Sequence, residues 1–127
     1  SIMAKLLADP AICEYRLVTL AEEMPVSEAC EMAADLYAEV GIAPRIYCNR
    51  LLELPAHIAA LPADDPAHDF VAQMRRIERR QRSSLQTLRQ LGECCQGPVQ
   101  RLPLIPSVAA QGLLEQLADA LQAGEGV

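Results

Sequence analysis

The chain alternates between short apolar runs, which indicate strands, and longer segments with helical periodicity. Residues 15–20 and 46–48 are runs rich in β-branched and aromatic side chains, and residues 101–107 (RLPLIPS) form a third run that contains two prolines. Pro25 and Gly41 bracket a helical stripe between the first two runs, because proline suits the first turn of a helix and glycine suits its C-terminal cap. The order strand, helix, strand predicts two parallel strands joined by a right-handed crossover.

The first run is predicted to be a strand covered on both faces, and the helix after it has one apolar face and one acidic face. The apolar face consists of Val26, Ala29, Cys30, Ala33, Tyr37 and Val40. The acidic face consists of Glu28, Glu31, Asp35 and Glu39. We therefore expect this helix to pack one side on the strands and to leave the other side in solvent.

The longest predicted helix lies in the second half of the chain. After a loop over residues 51–65 with a helical turn around Ile58, Asp65 as N-cap and Pro66 as the first residue begin this helix, which ends near Gly92. Its apolar stripe consists of Phe70, Met74, Ile77, Leu85, Leu88 and Leu91.

The two ends of the chain are predicted to be helical. Residues 3–10 are expected to be the end of a helix that begins outside this sequence. Residues 108–121 form a closing helix, and its core-facing residues are Leu113, Leu114, Leu117 and Leu121. The predicted fold is therefore a single α/β domain over residues 1–127, with a short, mostly parallel sheet of about three strands and flanking helices.

Composition narrows the classes of protein to which the chain can belong. A chain of 127 residues can bury a core without disulfides, and five cysteines, an odd number at irregular spacing, favour reduced thiols and a cytoplasmic location. A formal net charge of −6 argues against nucleic acid and anionic membranes as partners. No apolar run approaches the ~20 residues that cross a bilayer, so we expect no membrane insertion.

Each of the three predicted strands ends in a polar or rigid segment. Glu22 follows the first strand, Asn49 ends the second, and the third ends in residues 102–106 (LPLIP). Ligands of open α/β sheets bind at this kind of edge. The Asn49 carboxamide has a donor and an acceptor that match the N6 and N7 edge of adenine, and the LPLIP segment can lie against a purine face. The alternatives are that Asn49 is a turn residue and that the prolines only end the strand.

In this order along the chain, the segments resemble the C-terminal portion of the ArsA-type ATPases, the arsenical pump-driving and tail-anchored-protein-targeting ATPases with a deviant P-loop. Residues 17–29 (LVTLAEEMPVSEA) look like that family's strand and helix with two spaced glutamates. Residues 47–53 (YCNRLLE) look like its strand that ends in an adenine-reading asparagine, and the LPLIP segment looks like its adenine-side loop.

The resemblance implies part of a three-layer, P-loop-type fold that binds ATP with Mg²⁺ in the complete protein. It implies a nucleotide-side set made of Asn49, Arg50, Pro103, Leu104, Ile105, Pro106, Glu22 and Glu28, in which the two glutamates lie near the nucleotide at a dimer interface. The partners that it implies are a second copy of the chain and a membrane transporter or a membrane-protein client. The complete protein would couple ATP hydrolysis to transport or delivery of that client.

The chain departs from the family pattern at two places. An acidic residue commonly follows the adenine-side loop, whereas Ser107, Val108 and Ala109 follow it here. The targeting branch carries a CxxC zinc clamp before its long helix, whereas residues 62–70 (PADDPAHDF) contain no cysteine. Adjacent Cys94 and Cys95 cannot supply a closed four-ligand zinc site, so we do not carry the zinc clamp over; a zinc ion shared across a dimer is the alternative.

The sequence also lacks the elements that handle phosphate. It contains no GxxxxGK[ST] motif, and its only lysine, Lys5, has no glycine before it. We therefore assign no catalytic residue and no metal ligand, and we expect no ATP hydrolysis and no tight nucleotide binding by the isolated chain.

A different class of function also fits the pattern, namely a non-catalytic interaction domain that dimerises through the apolar stripe of its long helix. The same helix carries a positive band made of Arg75, Arg76, Arg79, Arg80 and Arg82. This band is either a solvated face, a partner of the acidic helix around Glu31 and Asp35, or a surface for phosphates or an acidic partner.

Overall fold

The computed structural model describes residues 1–105 and 110–125. Its helices and strands, in chain order, are α1 (Ile2–Leu7), β1 (Arg16–Leu20), α2 (Glu23–Val40), β2 (Arg45–Leu51), α3 (Ala56–Ala59), α4 (His68–Arg89), β3 (Gln100–Pro103) and α5 (Ala110–Glu125). A single 3₁₀ turn, Gly92–Cys94, follows α4.

The strands form one parallel sheet in the order β1-β2-β3. Leu17 lies opposite Ile46 and Thr19 lies opposite Cys48, so equivalent residues of β1 and β2 share a face. The predicted α/β class, with a short parallel sheet and flanking helices, is confirmed.

The core lies between one face of the sheet and the two long helices. Its buried residues are Ala21, Val26, Ala33, Ile46, Cys48, Leu51, Leu85 and Leu88. Helix α2 contacts β1, α4 contacts β2, and the two helices contact each other. The sheet and both helices therefore depend on the same buried apolar surface.

Helix α2 agrees with its prediction in extent and in its buried face. It begins two residues before Pro25 and ends at Val40, where Gly41 adopts φ 72° as the left-handed C-cap. Gly41 N–H donates to Tyr37 O at 3.0 Å, which is the bond expected of this cap. Val26 and Ala33 are buried, and the other predicted apolar residues are half-buried.

Helix α4 begins later than predicted, at His68 rather than at Pro66. Asp65 does not cap the helix, because its Oδ1 accepts from Ala67 N–H at 2.8 Å and its backbone carbonyl accepts from His68 N–H at 3.0 Å. These two bonds close a separate turn in front of the helix.

The apolar stripe predicted for α4 is correct only in its second half. Leu85 and Leu88 are buried, but Phe70 is 64% exposed, Ile77 is also exposed, and Val71 is buried in their place. Helix α4 contacts α2, α3 and β2, so the side that it buries changes along its length, and a single stripe does not describe it.

One strand prediction also changes. Val18 in β1 is 65% exposed, so the strand is not covered on both faces; β1 is an edge strand, and α5 contacts β3 at the other edge. Strand β3 covers Gln100–Pro103, within the segment that Pro98 and Pro103 bound.

Helix α5 is confirmed as an element, but its predicted inner face is partly wrong. Leu114 is 68% exposed, whereas Leu117 and Leu121 are half-buried. The side chain of Leu113 and the whole of Pro106 lie outside the described part of the chain.

Candidate functional site at the carboxyl edge of the sheet

The ends of the three parallel strands lie at one edge of the sheet. Leu20, the last residue of β1, lies opposite Asn49, and Leu51, the last residue of β2, lies opposite Pro103. The segments that follow these strands therefore begin side by side. The structure in this way brings together the predicted nucleotide-side residues of β2 and β3, with Glu22 two residues beyond the end of β1.

The end of β2 contains a local distortion. Arg50 adopts φ 57°, the left-handed region, and the pairing with β3 shifts register between Cys48 and Leu51. Asn49 Oδ1 accepts from Arg50 N–H at 2.9 Å, so the carboxamide oxygen supports the turn at the next residue. Asn49 therefore lies inside β2, two residues before its end, and acts as a local turn residue as well as a candidate base contact.

The exits of β2 and β3 are joined to each other. Leu104 N–H donates to Leu51 O at 2.8 Å, which continues the contact between the two strands past the register shift. Arg101 Nη2 lies 3.2 Å from Glu53 Oε1 in an ion pair between the same two segments. These contacts hold Pro103 and Leu104 beside the end of β2, with the Leu104 side chain exposed.

Helix α4 supports the β2 exit with two polar side chains that sequence reasoning missed. Gln81 Oε1 accepts from Leu52 N–H at 2.7 Å, and Gln81 Nε2 donates to Arg50 O at 3.1 Å. Glu78 Oε2 accepts from Leu54 N–H at 2.9 Å. The available signal was their spacing, because Glu78 and Gln81 lie two turns and one turn before Leu85, respectively, on the helix face that is buried.

A cleft with a volume of about 960 Å³ lies between α2 and α4, next to the end of β1. Its polar wall includes Glu22, Ser27, Arg80, Gln81, Ser84 and Thr87. Glu22 is the only predicted nucleotide-side residue among its lining residues, and Gln81 lies both in this wall and beside the β2 exit. Its volume suits a small ligand, and its lining is mostly apolar with a few polar side chains.

Glu28 lies neither in the cleft between α2 and α4 nor at the exits of β2 and β3. It lines a groove of about 270 Å³ along the outer side of β1, together with Val18, Pro25 and Met32. Glu22 and Glu28 thus line different clefts. The exposed Val18 and Met32 make this groove apolar at its centre.

The thiols near the site are neutral at physiological pH. Burial raises the pKa of Cys48 above its ordinary value, and the positive charge of Arg101 offsets part of that increase. Burial also raises the pKa of Cys30, which lines the large cleft. The pKa of Cys95 is raised by burial, while a backbone hydrogen bond from Ile46 acts in the opposite direction. Poorly ionised thiols are weak nucleophiles, so these cysteines act as packing residues.

The arginines of α4 are exposed and mostly solvated. Arg82 Nη2 lies 3.2 Å from Glu78 Oε1, which is a pair within the helix. Among residues 1–105 and 110–125, no ion pair joins these arginines to Glu31 or Asp35. The predicted pairing between the acidic and the basic helix is therefore not formed in the described part of the chain.

Three further observations bear on the identity of the site. In the described ranges, no three His, Cys, Asp or Glu residues lie close enough together to hold a metal ion. No described helix combines the length and the apolar character that a membrane span requires. No protein-family model matches the chain, and no curated protein is similar enough to it to count as a relative.

Proposed function

We propose that this chain is the adenine-side and dimer-interface portion of an ArsA-type ATPase domain in the cytoplasm. The observation that carries the proposal is the juxtaposition of the β2 exit, at Asn49 and Arg50, with the β3 exit, at Pro103 and Leu104. The Leu104 to Leu51 hydrogen bond of 2.8 Å holds the two exits side by side.

The chemistry of the two exits suits a purine base. Backbone groups and a carboxamide can bond the edge of adenine, while Pro103 and Leu104 supply apolar contact for its face. The exposed guanidinium of Arg50 adds a positive charge at the same place, where a nucleotide phosphate or an acidic partner group can meet it. This combination favours a nucleotide whose base lies over the β2 and β3 exits.

The phosphate chemistry belongs to other parts of the complete ATPase. This chain has no glycine-rich phosphate loop, and phosphoryl transfer depends on positioned Mg²⁺ and on such a loop. The complete protein would bind ATP with Mg²⁺, pair with a second copy, and couple hydrolysis to a membrane transporter or to delivery of a membrane-protein client. The chain alone would bind adenine weakly and hydrolyse nothing.

The proposal is tested in the longer protein. The coding sequence that precedes Ser1 should encode a glycine-rich phosphate loop, and Asn49→Ala in that protein should weaken ATP binding by about 1 to 3 kcal/mol with a smaller loss for GTP. Gln73→Ala, at an exposed position of α4, is the control and should change neither affinity. Equal losses for both nucleotides, or no phosphate loop, would refute the proposal.

A second candidate, self-association without catalysis, is favoured by one observation. Phe70 and Ile77 are exposed large apolar residues on the same helix, at i and i+7, and therefore share a face. If this face forms a dimer, light scattering should give twice the 13.8 kDa chain mass, and Phe70→Ser should restore the monomer. Leu85 is unsuitable for this test because it is buried in the core.

A further inference from the structure

Gln81 contacts the backbone on both sides of a single peptide segment. Its Nε2 donates to Arg50 O at 3.1 Å and its Oε1 accepts from Leu52 N–H at 2.7 Å. The two bonds together span Leu51 and use both functions of one carboxamide. No other residue type of this length supplies a neutral donor and a neutral acceptor in one planar group.

The segment that Gln81 contacts has a conformation that needs support. Arg50 is the only non-glycine residue with positive φ among the described residues, and its φ of 57° places Cβ close to the backbone. Three hydrogen bonds surround this residue: one from its own N–H to Asn49 Oδ1, one to its carbonyl from Gln81, and one to the next carbonyl, Leu51 O, from Leu104 N–H. Of these three bonds, only the one to Gln81 comes from a helix.

The position of Gln81 is itself fixed by the core. Leu85 and Leu88, one and two turns further along α4, are buried at 2% and 0% exposure. Glu78, one turn earlier, bonds Leu54 N–H at 2.9 Å and so extends the contact along the loop. Helix α4 therefore presents Glu78 and Gln81 to the segment after β2, and their hydrogen bonds hold the backbone of that segment against the helix.

We propose that Gln81 is the positioning residue of the candidate base site. By holding Arg50 O and Leu52 N–H, it fixes the left-handed conformation at Arg50 and thereby the direction of Asn49, which would contact an adenine nucleoside. The assignment of the ligand rests on the proposed function. The effect of Gln81 on the backbone does not rest on the proposed function, because hydrogen exchange and chemical shifts measure that effect without any nucleotide.

The first test compares matched substitutions on α4 by NMR. In the 127-residue chain, Gln81→Leu should accelerate amide hydrogen exchange of Leu52 by about tenfold and move the Arg50 Cα shift away from its left-handed value. Gln86→Leu makes the same change at an exposed position of the helix and should alter neither. Ala33, buried in α2, should keep its protection in both variants. Unchanged Leu52 exchange and an unchanged Arg50 shift in Gln81→Leu would overturn the proposal.

Repeating the substitution in an Arg50→Gly variant shows whether Gln81 acts on the backbone conformation or only packs against the loop. Glycine adopts the left-handed region without strain, so in Arg50→Gly the turn needs less support. The displacement of the Cα shift of residue 50 caused by Gln81→Leu should therefore be several-fold smaller in that background. An equal displacement in both backgrounds would mean that Gln81 does not support the left-handed turn, and it would overturn the proposal. If Gln81→Leu does not fold, Gln81→Glu keeps the acceptor for Leu52 and should lose only the restraint on Arg50.

Adenosine then tests the ligand. If Gln81 directs Asn49, the shift of the Asn49 amide on adding adenosine should fall at least about threefold in Gln81→Leu while Gln86→Leu retains it. A full adenosine response in Gln81→Leu would overturn the positioning role. No response in the unaltered chain would contradict the proposed function and leave the backbone result to be judged by the exchange data alone.

Discussion

The two edges of the sheet use their polar side chains in opposite ways. At the amino edge, Glu14 Oε1 lies 3.4 Å from Arg16 Nε and 3.0 Å from Arg45 Nε, so one carboxylate serves two guanidinium groups. Arg16 also lies over the Tyr47 ring, with its Cζ 5.8 Å from the ring centroid. The Tyr15 hydroxyl donates to Leu7 O at 2.8 Å. The charged side chains of this edge therefore face one another, although the buried Arg45 Nε lies beside Glu14 as an ion pair and has no hydrogen-bond partner.

At the carboxyl edge the Arg101–Glu53 ion pair is accompanied by two polar side chains of α4 that hold the backbone. Gln81 and Glu78 bond the segment after β2, while the charged ends of Glu22 and Arg50 remain exposed. Among residues 1–105 and 110–125, neither Glu22 nor Arg50 takes part in an ion pair. An edge with a fixed backbone and uncommitted side chains is suited to a ligand, because little ordering is needed when the ligand binds.

The largest expected effect comes from the core that supports both edges. Leu88 is fully buried, so Leu88→Ala should lower the free energy of unfolding by about 2 to 5 kcal/mol through lost burial and a residual cavity. Urea unfolding measures this loss, and Leu114→Ala, at an exposed leucine, should cost less than about 0.5 kcal/mol. Amide protection should fall together at both edges. Loss at one edge alone would contradict the shared core.

A smaller effect should be confined to the carboxyl edge. Glu78→Ala leaves the Leu54 N–H without its acceptor, and we expect a loss of about 1 to 3 kcal/mol because the Glu78 side chain is only 17% exposed. Glu78→Gln keeps an acceptor oxygen and should retain most of the stability. Hydrogen exchange should become faster at Leu54 and not at Arg45 of the amino edge. Equal acceleration at Arg45 would show that the two edges are not separate.

The amino edge should respond less, and its response should depend on salt. Glu14→Gln removes a carboxylate that is half exposed, so the loss should be about 0.2 to 1 kcal/mol at low ionic strength and should shrink in ~1 M salt. Thermal unfolding at two salt concentrations checks this. A loss that stays constant in high salt would indicate a packing role for Glu14 rather than a charge role.

The buried cysteines should cause a small loss of folding stability at alkaline pH. Because burial raises the pKa of Cys48 and Cys95 in the folded chain, the unfolded chain ionises first as the pH rises above the ordinary value of 9.0. Their contribution to stability is therefore complete below pH 9.0 and falls above it. Urea unfolding across that range should show the decrease, and Cys48→Ala should reduce it. A stability that does not change on passing pH 9.0 would contradict the burial of these thiols.

The sequence predicts the elements whose ends are determined by residues close to them in the chain. Pro25 and Gly41 locate α2 to within two residues because helix ends depend on nearby backbone conformations. The parallel order of the strands follows from the helix between them. By contrast, the exposure of Phe70 and the burial of Val71 depend on which neighbours α4 meets, and a periodic stripe does not contain that information.

The candidate site could be predicted only as a set of strand exits. Asn49, Arg50 and the residues after β3 stand out because polar and proline residues interrupt apolar runs. The support from α4 was not predictable in the same way, since Gln81 meets Arg50 across 31 positions of sequence and a glutamine in a helix is usually a surface residue. The left-handed conformation of Arg50 likewise depends on that distant contact rather than on its own preference.

The most direct measurement is an NMR titration of the 127-residue chain with adenosine and with guanosine. The account predicts that adenosine, binding with a dissociation constant of ~1 mM or weaker, shifts the amides of Asn49, Arg50 and Leu104, and that guanosine does not. Asn49→Ala should abolish most of the response. Equal shifts with both nucleosides, or shifts confined to Ser84 and Thr87 in the large cleft, would contradict the assignment of the carboxyl edge as the adenine side of an ATPase.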